Sequence, residues 1–171
     1  MELPTPSCTL RAFRPADADC LALHANDRRI WLGLRDRFPH PYTVADAEYY
    51  IRAVSVLDRP LAFAIDVGGD AVGGVSLRPG EDVERYGAEI GYWLGVAYWN
   101  RGITTDAVRA VTTHALTTLG LLRVFALPFT RNAASARVLE RVGYEREGVL
   151  RRSAVKDGEV LDQYLYAVVR E

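Results

Sequence analysis

Glu89-Ile90-Gly91-Tyr92-Trp93-Leu94-Gly95-Val96-Ala97-Tyr98-Trp99-Asn100-Arg101-Gly102-Ile103-Thr104-Thr105-Asp106-Ala107 opens as a strand, breaks at a turn holding Asn100-Arg101-Gly102, and continues as a helix. From Ile103 the apolar residues Ala107, Val108, Val111, Ala115 and Leu119 recur at helical spacing, with Thr105, Arg109, Thr113 and Thr117 on the opposite face. A strand that turns at a glycine into a helix aims several backbone N–H groups, and the positive end of the helix dipole, at one point. Such a point suits a phosphate or pyrophosphate. The same turn also serves as a plain strand-to-helix connection in which Gly102 only permits the tight backbone. No Gly-Lys-Ser/Thr follows, so this is not a Walker loop, and the Gly-x-Gly-x-x-Gly fingerprint is missing.

About thirty residues downstream stands Asn132-Ala133-Ala134-Ser135-Ala136-Arg137-Val138-Leu139-Glu140-Arg141-Val142-Gly143-Tyr144, followed by Glu147-Gly148-Val149-Leu150-Arg151. Here the chain resembles the GNAT N-acetyltransferases. That family carries a phosphate loop of the form Arg/Gln-x-x-Gly-x-Gly/Ala. The branch that acetylates N-termini of ribosomal proteins adds Asn-x-x-Ser-x-x-Val-Leu-x-x-x-Gly-Phe/Tyr-x-x-Glu-Gly. The second pattern matches at nearly every defined position. In the first, Trp99 stands where Arg or Gln is usual and Thr104 where Gly or Ala is usual. The likeness runs from about Leu10 to the end of the chain.

The chain has 171 residues, a length that suits one domain, expected here to span 1–171. Formal net charge is -1, which gives no sequence-wide electrostatic case for nucleic acid or a membrane surface. The apolar runs are too short to span a bilayer. Met1-Glu2-Leu3-Pro4-Thr5-Pro6 has neither a basic nor an apolar leader region, so a cytoplasmic protein is expected. Cys8 and Cys20 lack metal-ligand or Cys-x-x-Cys spacing, and His24, His40 and His114 are scattered. No metal is expected.

Taken in order, a strand over Cys8 to Phe13 leads through Pro15 into a helix to about Ala25. The segment from Asn26 to Pro41 reads as a short helix, either covering the core or, by the resemblance, forming a flap over the acceptor. Thr43 and Asp46 form a capping pair for a helix to about Leu57, with Tyr50 and Val54 inward. Strands Leu61 to Val67 and Ala71 to Leu77 meet at Gly68-Gly69-Asp70. A fourth strand covers about Glu84 to Val96, and a fifth covers Leu122 to Leu127. Asn132 caps a helix that Gly143 ends. A hairpin with its turn at Asp157-Gly158 joins strands over about Tyr144 to Val155 and Val160 to Val169. The expected fold class is α/β (α+β): a mixed, mostly antiparallel sheet of about seven strands flanked by helices. The resemblance implies a splay between the fourth and fifth strands.

The same resemblance implies transfer of acetyl from acetyl-coenzyme A to a primary amine by direct attack. No covalent enzyme intermediate is needed, and neither Gly-x-Ser-x-Gly nor a Cys/His pair is present. Backbone N–H groups of Arg101, Gly102, Ile103, Thr104 and Thr105 would hold the pyrophosphate, with Arg101 adding charge or simply solvated. Leu94 and Val96 would pair with the pantetheine amides. Asn132 serves as a cofactor contact or only as a helix cap. Ser135 projects onto the side of Ala134, Val138 and Val142, where its hydroxyl would meet the coenzyme sulfur or back-bond to the helix. Glu89, beside Gly91 and Trp93, is the candidate base, its alternative being an ion pair with Arg85 or another cation. Ala154 stands near where relatives place a second acid. Trp31, Trp93, Asp162 and Tyr164 are candidate acceptor contacts, although Asp162 also suits a role in supporting the hairpin.

The acceptor best matched to these residues is the α-amino group of a protein or peptide N-terminus. A small-molecule amine, such as an antibiotic or polyamine, is the alternative within the enzyme class. A non-catalytic coenzyme A-binding module is the alternative outside it. The resemblance also allows a homodimer.

Overall fold

The computed structural model describes residues 1–57 and 60–170. Strands β1 (Glu2–Pro4) and β2 (Thr9–Arg11) precede helices α1 (Ala18–Ala25), α2 (Arg28–Trp31) and α3 (Val44–Ser55). Then come β3 (Ala62–Val67), β4 (Asp70–Pro79), β5 (Gly87–Leu94), α4 (Ile103–Thr117), β6 (Arg123–Ala126), α5 (Ala133–Val142), β7 (Glu145–Lys156) and β8 (Glu159–Val169). The boundaries follow local chemistry. Thr43 accepts from the Asp46 N–H and Asp46 reaches back to the Thr43 N–H, so α3 starts at a reciprocal cap. Gly143 closes α5 in the left-handed region at φ 102°, where a glycine carries no Cβ penalty.

The hydrogen-bonded strand order is β1-β2-β3-β4-β5-β6-β8-β7. Neighbours from β1 to β4 pair antiparallel, as do β6, β8 and β7, whereas β5 and β6 run parallel. The β5–β6 register covers Gly87↔Arg123 to Glu89↔Phe125. Beyond it β5 continues to Leu94 and β6 ends at Ala126, with no further pair among the described residues. This is the pairing a splay between those strands requires. Among the described residues eight strands form where about seven were expected. The additional one is β1, whose three residues are too few to show alternation and whose Pro4 is tolerated at a sheet edge.

Contacts group the chain into two compact units, Met1–Ser76 with Tyr92–Ala107, and Leu77–Gly91 with Val108–Glu171. In the first, Phe13, Leu21, Ala25, Tyr42, Ala47 and Ile51 form a buried cluster with Phe38, Tyr50, Val54 and Trp93 packed against it. Ala47 and Ile51 are the deepest residues of α3, and the expected Tyr50 and Val54 are only partly covered. Beside this cluster Arg11 is buried with two carboxylates. Its guanidinium meets Asp17 bidentately at 2.8 and 2.9 Å and Asp66 at 2.6 Å. Burial alone would push the Asp17 carboxyl up, but the Arg11 guanidinium and the Arg14 N–H outweigh it and hold it below its ordinary range.

In the second unit Val108, Val111 and Ala115 of α4 are fully buried, as are Val124 of β6 and Leu139 of α5. The Tyr144 phenol, whose pKa is raised by burial, shares a 2.8 Å hydrogen bond with Thr112. Tyr166 donates to Glu140 at 2.7 Å. His114 is buried on α4, and that burial lowers its pKa from the ordinary value. The folded protein therefore resists a proton that the unfolded chain accepts near pH 6.5. The stability this histidine contributes is present above that pH and lost as the pH falls below it. His114→Gln is expected to flatten the decline in urea midpoint between pH 7 and pH 5. An unchanged decline would assign the acid sensitivity to other groups.

Candidate functional site

The turn after β5 is fixed from several sides. The Gly95 N–H donates to the Val72 carbonyl at 2.8 Å, and a Cβ on Gly95 would lie 3.0 Å from the His24 side chain. Val96–Tyr98 then forms one turn of 3-10 helix, Asn100 takes φ 61° and Gly102 takes φ 80°. The first helical bond of α4 runs from the Asp106 N–H to the Gly102 carbonyl at 3.0 Å. The N–H groups of Ile103, Thr104 and Thr105 precede it and have no intrahelical acceptor. Ile103 and Thr105 bury their side chains, so what the turn offers outward is backbone. Thr105 thus departs from the exposed face expected for it, on which Arg109, Thr113 and Thr117 do lie. A Cβ built on Gly102 meets nothing within 4 Å, leaving the approach open to an anion. Arg101 is exposed, its guanidinium 5.4 Å from the Tyr98 ring centroid.

Leu94 ends β5, and Val96 lies beyond it in the 3-10 turn rather than on the strand. Because the Gly95 N–H points to β4, the polar groups of Leu94 point to the opposite edge. There the Leu94 carbonyl accepts from the Trp99 indole N–H at 2.8 Å. The Val96 carbonyl accepts from the Trp99 backbone N–H at 3.1 Å. The carbonyls of Leu94 and Val96, the two residues expected to pair with the pantetheine amides, are thus both engaged by Trp99.

Asn132 caps α5, its side-chain oxygen accepting from the Ser135 N–H at 3.1 Å. The buried positions of this helix are Ala136 and Leu139; Ser135 is half-buried and Ala134 exposed, so Ser135 flanks the apolar face instead of sitting within it. Glu89 pairs with Arg78 of β4. Arg85, the cation named from the sequence, instead lies 5.0 Å from the Tyr86 ring and donates to the Asp82 carbonyl.

Trp93 packs edge-on to Phe38 at 5.6 Å, and Phe38 lies 4.8 Å from Tyr42. Two glycines of β4 make room for this indole strand position. A Cβ on Gly73 would meet the Trp93 carbonyl at 2.5 Å, and one on Gly74 would lie 3.1 Å from the indole nitrogen. Burial pushes the Tyr42 phenol up to about 12. Trp31, at the end of α2, stacks on His40 at 5.8 Å. Asp162 accepts from the Arg152 N–H at 2.7 Å where β7 bulges and Arg152 takes φ 51°. This bond ties β8 to the β7 bulge. Tyr164 lies 5.0 Å below the Arg146 guanidinium.

A family model described as acetyltransferase (GNAT) domain matches residues 8–145. The chain belongs to the GNAT acetyltransferase family. It is similar to "Putative ribosomal N-acetyltransferase YdaF" of Bacillus subtilis, 30% identical over 95% of this chain and 91% of that one. It is also similar to "Uncharacterized N-acetyltransferase YoaA" of the same organism, 36% identical over 48% of this chain and 47% of the relative. The chain thus spans about half the length of that relative and nearly all of YdaF. Among solved structures, Mycobacterium smegmatis RimJ in complex with CoA-disulfide superimposes with a TM-score of 0.83 at 25% identity, covering 99% of this chain and 86% of that one. The protein is accordingly an acetyl-CoA-dependent GNAT N-acetyltransferase. In this chain the turn has Gly102 just before the start of α4, and Trp99 stands where the resemblance led one to expect Arg or Gln. The sequence marks that replacement but not the two hydrogen bonds it makes. No helix among the described residues is long and apolar enough to cross a membrane.

Proposed function

We propose that this GNAT protein transfers acetyl to the α-amino group of a protein or peptide N-terminus. Acetyl-CoA supplies the activated acetyl thioester. The α4 N-terminus at Gly102 to Thr105 holds its phosphates, Ser135 meets the departing sulfur, and the amine attacks directly. The observation that carries the choice of acceptor is the engagement of the carboxylates that the sequence offers as candidates. Glu89 is ion-paired with Arg78, Asp162 is bound to the Arg152 N–H, and residue 154 is an alanine. A lysine with pKa near 10.4 needs about 4–5 kcal/mol of deprotonation at pH 7, whereas an α-amine near 7.8 needs about 1 kcal/mol. Carboxylates already committed to other partners suit the smaller demand. The similarity to a relative named as a ribosomal N-acetyltransferase supports the same reading.

The test compares two peptides of one sequence at pH 7, the first with a free N-terminus and no lysine, the second N-terminally blocked and offering one lysine. The free N-terminus is expected to react at least about tenfold faster, a part of the deprotonation difference. Equal rates, or acetylation of small-molecule amines alone, would overturn the assignment.

A further inference from the structure

Two hydrogen bonds from one residue help to tie the strand-to-helix crossing. Trp99 donates its backbone N–H to Val96 and its indole N–H to Leu94, at 3.1 and 2.8 Å. The second bond spans from the last residue of β5 to the residue four before Ile103, where α4 begins. The indole is held on its face as well, with the Arg29 guanidinium 5.9 Å from the ring centroid. Arg29 is itself fixed by Asp27, which accepts from its Nε at 2.9 Å and from Nη2 at 2.6 Å. On the other side of the turn, Tyr98 packs edge-on to His24 at 5.3 Å. Yet Trp99 remains 39% exposed, so burial of apolar surface alone does not account for a tryptophan here.

From these contacts we infer that Trp99 is a positioning residue for the coenzyme. Its indole bond sets the distance and angle between the free edge of β5 and the N-terminus of α4. It also occupies the Leu94 carbonyl, which leaves the Leu94 N–H as the group that edge presents to an incoming pantetheine carbonyl. A turn residue with no side-chain donor lets the Asn100-Arg101-Gly102 backbone relax, and the N–H groups ahead of Asp106 then no longer converge. Arg29 acts at one remove, holding the ring in the plane that lets Nε1 reach Leu94. The inference rests on the reading of this turn as the coenzyme site and not on the identity of the acceptor.

The test is titration calorimetry of coenzyme A with the full chain and with Trp99→Phe, which keeps a ring and removes the donor. Trp99→Gln, which keeps a side-chain N–H, serves as the rescue. Loss of one such bond is expected to weaken coenzyme A binding about 5- to 10-fold in the phenylalanine variant. The glutamine variant is expected to recover at least half of that loss on a logarithmic scale. In turnover, KM for acetyl-CoA should rise with kcat within about twofold, since both ground and transition states use the loop alike. Thermal midpoints recorded in parallel separate a positioning effect from a folding one: the glutamine variant should bind better than the phenylalanine variant even at equal stability. Equal binding by wild type and Trp99→Phe would overturn the positioning role while leaving the proposed acceptor intact. Failure of the wild-type chain to bind coenzyme A would overturn both.

Discussion

Arg11→Ala is expected to destabilise the protein by about 3–5 kcal/mol, the cost of leaving buried charge without its partner. The guanidinium serves Asp17 through both Nη atoms and Asp66 through Nε, and also donates to the Ala12 carbonyl at 3.1 Å. The side chain is 3% exposed, and those of Asp17 and Asp66 are 7% and 13% exposed. Alanine leaves two carboxylates facing each other in a site with little water. Arg11→Lys keeps the charge but cannot form the planar fork to Asp17, so it should fall between alanine and wild type. Urea unfolding at pH 7 measures both, and an alanine variant within about 1 kcal/mol of wild type would mean that solvent reaches the site. The pH dependence has a fixed sign. With its pKa depressed in the fold, Asp17 contributes stability above its unfolded value near 3.9, and that contribution is lost as the pH falls through the lower folded value.

Gly102→Val is expected to weaken coenzyme A binding by about 100-fold or more, the equivalent of losing two charge-assisted backbone hydrogen bonds. Two effects act together. The Cβ enters space that is open in the structure and that an anion must cross to reach the N–H groups of α4. The backbone at φ 80° also opposes a β-branched side chain, at a stability cost of about 1–2 kcal/mol. Calorimetry gives the first and the thermal midpoint the second. Gly102→Ala should retain the strain with a smaller obstruction, so its affinity loss should be clearly smaller. Equal binding by valine and wild type would take this turn out of the coenzyme site.

Elements with their own local signals were legible in the sequence. Ile103 starts α4 where the apolar spacing begins, the Thr43–Asp46 pair caps α3, and Gly68-Gly69 and Asp157-Gly158 turn the two hairpins. What escaped is tertiary. Arg11 and Asp66 are 55 residues apart and meet only because β2 pairs with β3. Glu89 finds Arg78 rather than the nearer Arg85 because the hairpin from β4 to β5 sets which cations reach it. His114 and Thr112 are polar residues on a helix read from its apolar positions, yet both are buried, Thr112 against the Tyr144 hydroxyl. Of the candidate site, the glycine turn and the Asn132 cap were readable as local motifs. The engagement of Leu94 and Val96 by Trp99 was not, since a tryptophan at that position signals a departure from the family pattern without saying which carbonyl its indole meets.

In the proposed reaction acetyl passes directly from acetyl-CoA to an amine. This step is tested most directly by following thiol release from acetyl-CoA with the full chain, first alone and then after addition of a peptide with a free N-terminus. No burst of thiol and no acetylated protein is expected before the peptide is added, and thereafter thiol release matched one for one by N-terminally acetylated peptide. A burst equal to the protein concentration, with acetyl retained on Cys8, Cys20 or a serine of the chain, would contradict direct transfer.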